Sequence, residues 1–375
     1  MRARTRLRSV LALAAVVPVL LVAACAPPED DDSSEGGKSA ATATSADEFG
    51  GMDALVAAAK KEAELNVIAL PPDWANYGEI IKAFGAKYGI KVNSAQPDGS
   101  SQDEINAVNQ LKGTNRAPDV LDIGMAVALA NTQLFAPYKV ATWDGIPEDQ
   151  KESTGLWFQD YGGYMAVGYD SAKVPAVTSV QDLLKPEYKN KVALNGDPTQ
   201  ANAALNGVMM ASLTNGGSLD DITPGVNFFG QLKDKGNFIP VQATTATVKS
   251  GETPVVFDWD YLSAAHVSDV PTWKVFVPQD AVLGGYYAQA INKDAAHPAA
   301  ARLWEEFLFS DEGQNLWLKG GARPVRMEAM TTTGTVDKTA AAALPPVDGT
   351  PVYMSDEQAT KAKETLASTW AKAIG

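Results

Sequence analysis

Short apolar runs alternate with apolar residues at helical spacing through most of the chain, which predicts strands and helices in turn. Residues 65–70 form an apolar run that stops at Pro71 and Pro72, as a buried strand does. Residues 77–88 carry apolar side chains at helical spacing before Gly89, a residue that commonly ends helices. The same reasoning predicts further strands at residues 90–92, 120–123, 165–169, 191–194, 255–257, 273–277 and 284–291.

Helix signals lie between these strands. Ser101 with Glu104 predicts a capping box, and Ser355 with Gln358 predicts another at the last helix. Asp197 before Pro198 predicts a helix that begins at Pro198 with Asp197 as its N-cap. Because strand–helix units with short connections favour parallel sheets, the sequence predicts an α/β fold. Other helices are expected at residues 53–64, 298–309 and 311–318.

The first 25 residues have the composition of an export signal. Four arginines precede residues 10–24, an apolar stretch too short to cross a bilayer. Cys25 is the single cysteine of the chain and ends the run at residues 21–25. This run resembles a bacterial lipobox, which implies that Cys25 carries a lipid. The alternative is an ordinary secretory signal whose cleavage site includes a cysteine. Residues 26–51 hold few large apolar side chains, so we expect a flexible tether.

Charge and missing motifs narrow the function. The net charge of −14 becomes −18 once the four arginines of the signal are removed, which does not favour nucleic acid as a partner. His266 and His297 are the two histidines, and neither has metal-ligand spacing. We expect no cofactor, no metal and no enzymatic activity. Carboxylates are abundant, so a secreted hydrolase that uses them remains an alternative.

Acidic and aromatic residues follow several predicted strands. In open α/β sheets, the carboxyl ends of strands border the crevice where ligands bind. Aromatic faces and carboxylates there would hold a cation, whereas the alternative is that the aromatics cover lobe edges and the aspartates cap helices. Strand alternation allows one of two adjacent tyrosines to face the crevice. The candidates are Asp73, Trp74, Asp258, Trp259, Asp260, Tyr286 and Tyr287.

A second candidate lies at Asp197 and Thr199. A helix that starts here would point backbone N–H groups outward and could hold an anion. The carboxylate of Asp197 competes for the same N–H groups, so a plain N-cap is the alternative.

Five sequence segments together resemble the solute-binding proteins of ABC importers. They are similar to the branch that contains the ferric-ion, polyamine, thiamine and aminophosphonate binders, with the type II periplasmic-binding-protein fold. The resemblance implies two α/β lobes joined by crossover strands, a ligand clamped between them by hinge closure, and a membrane permease with its ATPase as partner. The segments are residues 116–120, 134–138, 165–170, 182–188 and 309–314.

The resemblance also suggests a domain plan and a location. We expect a signal peptide, a tether, two discontinuous lobes and a C-terminal extension with a helix packed on the body. The protein would be an exported monomer, anchored by lipid to the outer face of the bacterial cell membrane. The expected ranges are 1–25 for the signal, 26–51 for the tether, 52–163 with 284–330 for lobe 1, 164–283 for lobe 2 and 331–375 for the extension.

The ligand expectation depends on residues 258–260. Ferric binders of this branch have adjacent tyrosines just after the strand that here ends at Phe257, whereas this chain has Asp258-Trp259-Asp260. An indole offers no ligand to ferric ion. We therefore expect an organic amine, such as a polyamine or a thiamine-like cation. Ferric ion is an alternative, and so is an aminophosphonate that places its amine on Asp258 or Asp260 and its anion at Thr199.

Overall fold

The structure is a computed structural model that describes residues 38–344 and 347–375. The signal peptide, Cys25 and residues 26–37 of the expected tether lie outside the described residues. Within them, no helix combines the length and the apolar character that a membrane span needs. The α-helices are Ala46–Phe49 (α1), Met52–Glu62 (α2), Tyr77–Tyr88 (α3), Ser101–Gln110 (α4), Met125–Ala130 (α5), Asn202–Leu213 (α6), Thr223–Asp234 (α7), Thr245–Ser250 (α8), Asp260–Ala265 (α9), Pro298–Leu308 (α10), Asp311–Lys319 (α11), Met327–Thr333 (α12), Lys338–Ala343 (α13) and Asp356–Ile374 (α14).

The strands confirm the predicted α/β class. The sequence did not predict helices α1, α5, α7, α8, α9, α12 and α13, or the strands at residues 135–136, 238–242, 323–324 and 352–353. The strands are Glu64–Ile68 (β1), Lys91–Ala95 (β2), Val120–Gly124 (β3), Phe135–Ala136 (β4), Phe158–Asp170 (β5), Val192–Leu194 (β6), Phe238–Gln242 (β7), Val255–Trp259 (β8), Trp273–Phe276 (β9), Leu283–Asn292 (β10), Arg323–Pro324 (β11) and Val352–Tyr353 (β12).

Strand β5 joins two sets of strands into one sheet. Its first half runs antiparallel to β10, and its second half runs antiparallel to β8 and β9. Strand β10 continues the sheet to β3 and β4, while β8 continues it through parallel pairing to β6 and then β7. We call the part built around β1, β3 and β10 the first lobe, and the part built around β6, β7 and β8 the second lobe.

The first lobe also has a separate parallel pair, β1 and β2, in which Glu64 aligns with Lys91. Helix α3 connects these strands and buries Tyr77, Ile80 and Phe84, which are side chains of its predicted apolar face. In this arrangement β1 ends next to the gap between the lobes, so the residues that follow it are free to line that gap.

Two helix starts differ from the prediction. Helix α4 has Ser100 as its N-cap, with Asp103 completing the capping box in place of Ser101 and Glu104. The Glu104 carboxylate is turned inward, where it accepts a hydrogen bond from the backbone N–H of Asp122 at 3.1 Å. The helix expected at Pro198 begins at Asn202, because residues 197–200 form a turn closed by the Asp197 side chain. The predicted capping box of Ser355 and Gln358 is confirmed at α14.

The tether expected to reach residue 51 is wrong for its last part. Ala43 and Phe49 are buried in the core of the protein. The Arg302 guanidinium donates to the carbonyl oxygens of Ala41 and Ala43 at 3.1 and 2.9 Å. Small apolar side chains and this buried arginine therefore hold residues 38–51 on the body, and composition alone concealed this because alanine and serine also dominate flexible linkers.

Candidate functional site

A cavity of about 790 Å³ lies between the two lobes. The first lobe lines it with residues after β1, with the start of α4, and with Asp122 and Tyr287. The second lobe contributes residues 195–197 and 200–203, the start of α8, Asp258 and His266. The volume lies within the range of small-molecule pockets, so the cavity can enclose an organic ligand.

Carboxyl groups dominate the charge of this cavity. The basic side chains in its lining are Lys249 and His266, and the Nζ atom of Lys249 already lies 2.7 Å from Oδ1 of Asp269. Clustered carboxylates between low-dielectric walls attract cations. Acidic side chains outnumber basic ones in this lining. The acidic lining residues are Asp73, Asp98, Asp103, Glu104, Asp122, Asp197, Asp258 and Asp269.

Glu104 and Asp122 form the acidic wall of the first lobe. The Oδ2 atom of Asp122 accepts hydrogen bonds from the hydroxyls of Tyr77 at 2.7 Å and Tyr161 at 2.9 Å. Burial raises the pKa of Asp122 to about 7, although these hydrogen bonds act in the opposite direction. Burial and the neighbouring Asp122 also raise the pKa of Glu104 well above its ordinary value. A cation at this wall would stabilise the ionised forms.

Asp258 lines the same cavity from the second lobe. Its Oδ2 accepts a hydrogen bond from the Asn195 amide at 3.0 Å, and its Oδ1 accepts one from the Trp259 backbone N–H at 2.8 Å. Burial raises the pKa of Asp258 to about 7, and the two hydrogen bonds oppose that rise. The two lobes thus present carboxyl groups to one cavity.

Trp74 and Tyr287 give the cavity an aromatic corner. Their rings lie 5.7 Å apart in an edge-to-face arrangement. The Trp74 Nε1–H donates to the Tyr161 hydroxyl at 2.8 Å, and the Tyr161 ring stacks on Tyr287 at 5.7 Å. Because Tyr161 also donates to Asp122, one chain of contacts fixes the aromatic corner relative to the acidic wall. Aromatic faces beside carboxylates suit the apolar stem or cationic head of an amine.

Five of the nine predicted ligand-binding residues line the cavity, and four do not. The residues in the lining are Asp73, Trp74, Asp197, Asp258 and Tyr287. The residues outside it are Thr199, Trp259, Asp260 and Tyr286.

Strand alternation explains two of these exceptions. Trp259 follows Asp258 on β8 and points away from the cavity, where its ring packs over Gly285 and its Nε1 lies 3.4 Å from the Tyr287 hydroxyl oxygen. Tyr286 precedes Tyr287 on β10 and lies 6.3 Å from the ring of Tyr353. Both side chains pack behind the cavity wall.

The polar groups of the other two exceptions are already paired within the protein. The Asp260 carboxylate is fully buried, pairs with Arg323 at 2.9 Å and accepts a hydrogen bond from the Tyr164 backbone N–H. The backbone N–H and hydroxyl of Thr199 both donate to Oδ1 of Asp197 at 2.8 Å. The predicted helix N-terminus is absent at this position, so the donors proposed for an anion are already used by Asp197.

Sequence reasoning missed Glu104, Asp122 and Asn195 as cavity residues. Glu104 was interpreted from the sequence as part of a helix capping box, and Asn195 was interpreted as part of a turn. Asp122 has the clearest sequence signal of the three, because it is a single acid within the apolar strand β3. His266, interpreted from the sequence as an ordinary histidine, lies at the cavity beside Trp273, and burial lowers its pKa. Among the described residues, no group of three or more His, Cys, Asp or Glu side chains has the geometry to hold a metal ion.

Comparisons with known proteins agree with this architecture. The family described as bacterial extracellular solute-binding protein matches residues 118–348. Iron-bound HitA from Pseudomonas aeruginosa is similar in fold, with a TM-score of 0.61 and 20% identity over 84% of this chain and 99% of that one. A putative spermidine/putrescine ABC transporter protein from Listeria monocytogenes gives a TM-score of 0.62 and 14% identity over 83% and 98% of the two chains.

A third similar structure has an anionic ligand. AfuA from Actinobacillus pleuropneumoniae, with fructose-6-phosphate bound, has a TM-score of 0.64 and 16% identity over 83% of this chain and 98% of that one. At these identities the three structures establish the shared two-lobe fold. Their ligands differ in charge and size, so the choice of ligand has to come from the cavity of this chain.

Proposed function

We propose, from the premise that this chain belongs to the bacterial extracellular solute-binding proteins, that it captures an organic cation for an ABC importer. The ligand would carry one or more amine groups, as a polyamine or a thiamine-like cation does. The observation that carries this proposal is the cavity between the lobes. It is lined by Glu104 and Asp122 from one lobe, by Asp258 from the other, and by the rings of Trp74 and Tyr287.

The same cavity offers less to the other ligands. Ferric ion prefers phenolate oxygens, but of residues 258–260 the cavity lining includes the carboxylate of Asp258 alone, and the Tyr287 hydroxyl oxygen already lies 3.4 Å from the Nε1 atom of Trp259. A phosphate or phosphonate needs free donors, but Asp197 occupies those of Thr199, and Lys249 is paired with Asp269. An amine, in contrast, would find carboxylate acceptors on both sides.

Capture would proceed by closure of the lobes around β5 and β10. In the expected division of the chain, lobe 2 (residues 164–283) would move relative to lobe 1 (residues 52–163 with 284–330). Closure excludes water, so each contact between an ammonium group and a carboxylate becomes stronger. Carboxyls from both lobes give the ligand a higher affinity for the closed form than for the open one, which is what biases closure. The closed protein would then deliver its ligand to the permease and its ATPase, while lipid on Cys25 keeps it at the membrane.

Calorimetry on the purified chain tests the proposal. Putrescine, spermidine, thiamine, 2-aminoethylphosphonate and ferric citrate are titrated separately. We expect saturable binding of at least one amine without product formation, and a loss of roughly tenfold or more in affinity for Asp258→Asn and for Glu104→Gln, since a single charge-assisted contact is worth about 1.5–3 kcal/mol.

The matched control is Asp234→Asn, which removes an exposed carboxylate on α7 away from the cavity. It should bind as the unmodified chain does. Tight ferric binding that is lost in Tyr287→Phe would overturn the amine proposal in favour of iron. Conversion of any added compound to product would instead support the hydrolase alternative.

A further inference from the structure

The C-terminal segment crosses from one lobe to the other outside the central strands. Helix α13 packs on α11 in the first lobe. The chain then adds β12 in parallel to the start of β10, and α14 follows on the second lobe. Strand β12 and helix α14 lie beyond residue 348, where the family match ends. These two elements therefore connect the lobes in addition to β5 and β10.

Helix α14 is held most firmly by the second lobe. The ring of Trp370 lies 5.6 Å from that of Phe229 on α7 and 6.3 Å from that of Phe238 on β7. At the other end of the helix, the Gln358 amide donates to Oδ1 of Asp220 at 3.0 Å. Buried large aromatic contacts at one end and a hydrogen bond at the other fix α14 along α7.

The same helix also touches the first lobe. Helix α14 packs against α5, which follows β3 directly, as well as against α6 and α7. Its buried stripe is Ala359, Ala362, Leu366 and Trp370, at spacings of three and four residues. One continuous helix face is thus shared between elements of both lobes.

Strand β12 adds a contact at the central strands themselves. The backbone N–H of Val352 donates to the carbonyl of Val282 at 2.9 Å. The ring of Tyr353 lies over Gly284, where a Cβ would come within 2.3 Å of its Cε1 atom. Gly284 pairs with Tyr164 of β5, so Tyr353 covers the place where the two long strands pass between the lobes.

We propose that residues 349–375 form a strap that ties the lobes together and limits how far the cavity opens. A rotation that moves the first lobe away from the second has to separate α5 from α14, because α14 is fixed to α7. The apolar surface buried between α5 and α14 would then be exposed to water, which costs roughly 25 cal/mol for each Å². The strap thereby favours a narrow range of opening in the absence of ligand.

Distances between spin labels test the strap without any ligand, so the result is independent of the proposed function. The full-length chain with Cys25→Ser carries labels at Gln110→Cys and Glu187→Cys, exposed positions on the first and second lobes. Removal of residues 356–375 should shift the label distance to longer values and broaden its distribution. An unchanged distribution in a folded truncated chain would overturn the proposal.

A second variant decides the question if the truncated chain does not fold. Ala362→Gln places a larger polar side chain in the buried stripe and should loosen α14 while it leaves the lobes intact. Lys372→Ala, at an exposed position of the same helix, is the control and should leave the distribution unchanged. If Ala362→Gln unfolds cooperatively and gives the same distances as Lys372→Ala, the segment does not limit opening.

Discussion

Asn202 occupies the space that a side chain on Gly124 would need. A Cβ added to Gly124 would lie 2.3 Å from the Cβ of Asn202 and 2.7 Å from its Oδ1. Gly124 ends β3 in the first lobe, and Asn202 begins α6 in the second. The two lobes therefore meet beside the cavity at a point where one of them has no side chain, and this contact depends on that glycine.

We predict that Gly124→Ala prevents full closure. The φ of Gly124 is −67°, which alanine adopts without strain, so the fold should persist while Asn202 is pushed away. Under the proposed capture by lobe closure, affinity for the ligand should fall about tenfold or more, because the variant would populate the closed form less. Calorimetry and small-angle scattering with bound ligand measure both effects. Gly230→Ala, where the nearest atom lies 3.7 Å away, is the control; equal affinity in the two variants would contradict the closure role.

Cation affinity should rise with pH. Burial raises the pKa values of Asp122 and Asp258 to about 7, so both acids are largely neutral at pH 5.5 and ionised at pH 8.5. An ammonium group binds the ionised forms, and binding should therefore release protons near pH 7. Titrations in buffers of different ionisation enthalpy count those protons. Asp258→Asn should lower the count, and an affinity that is flat from pH 5.5 to 8.5 would exclude this linkage.

The same raised pKa predicts how Asp258 affects stability without ligand. The folded state holds the Asp258 proton more tightly than the unfolded chain does. Protonation of Asp258 therefore stabilises the fold fully below pH 4, and this stabilisation is lost as pH rises through about 7. Asp258→Asn should thus be more stable than the unmodified chain at pH 8.5, by about 1 kcal/mol or more, and should gain much less at pH 4.5. Thermal unfolding at both pH values measures the difference in stability between the two chains. A gain in stability confined to pH 4.5 would contradict the prediction.

Local signals were sufficient for part of the site. Asp258 was predictable because an acid follows the apolar residues Val255, Val256 and Phe257 at the carboxyl end of a strand. Strand alternation also predicted that one of Tyr286 and Tyr287 faces the cavity, and Tyr287 does. Each of these inferences used residues within a few positions of one another.

Partners distant in sequence determined the rest. Asp122 is held by hydroxyls 45 and 39 positions away, at Tyr77 and Tyr161, so its surroundings leave no local pattern. In the sequence, Asp260 carries the same signal as Asp258. In the structure, Arg323, 63 positions away, donates a hydrogen bond to the Asp260 carboxylate. The α/β class followed from periodicity, whereas the roles of individual acids depended on contacts that only the fold creates.

The segment at residues 38–51 gives the last prediction. Arg302 donates three hydrogen bonds to carbonyl oxygens, two of them on Ala41 and Ala43, and its guanidinium lies 5.5 Å from the ring of Tyr138. Arg302→Ala would leave these carbonyls without their donors, so the free energy of unfolding should fall by about 2–4 kcal/mol. Hydrogen exchange should speed up at residues 38–49, and Arg302→Lys should show a smaller effect because it keeps one donor group. If exchange at residues 38–49 is as slow in Arg302→Ala as in the unmodified chain, apolar packing around Ala43 and Phe49 is enough to hold the segment on the body.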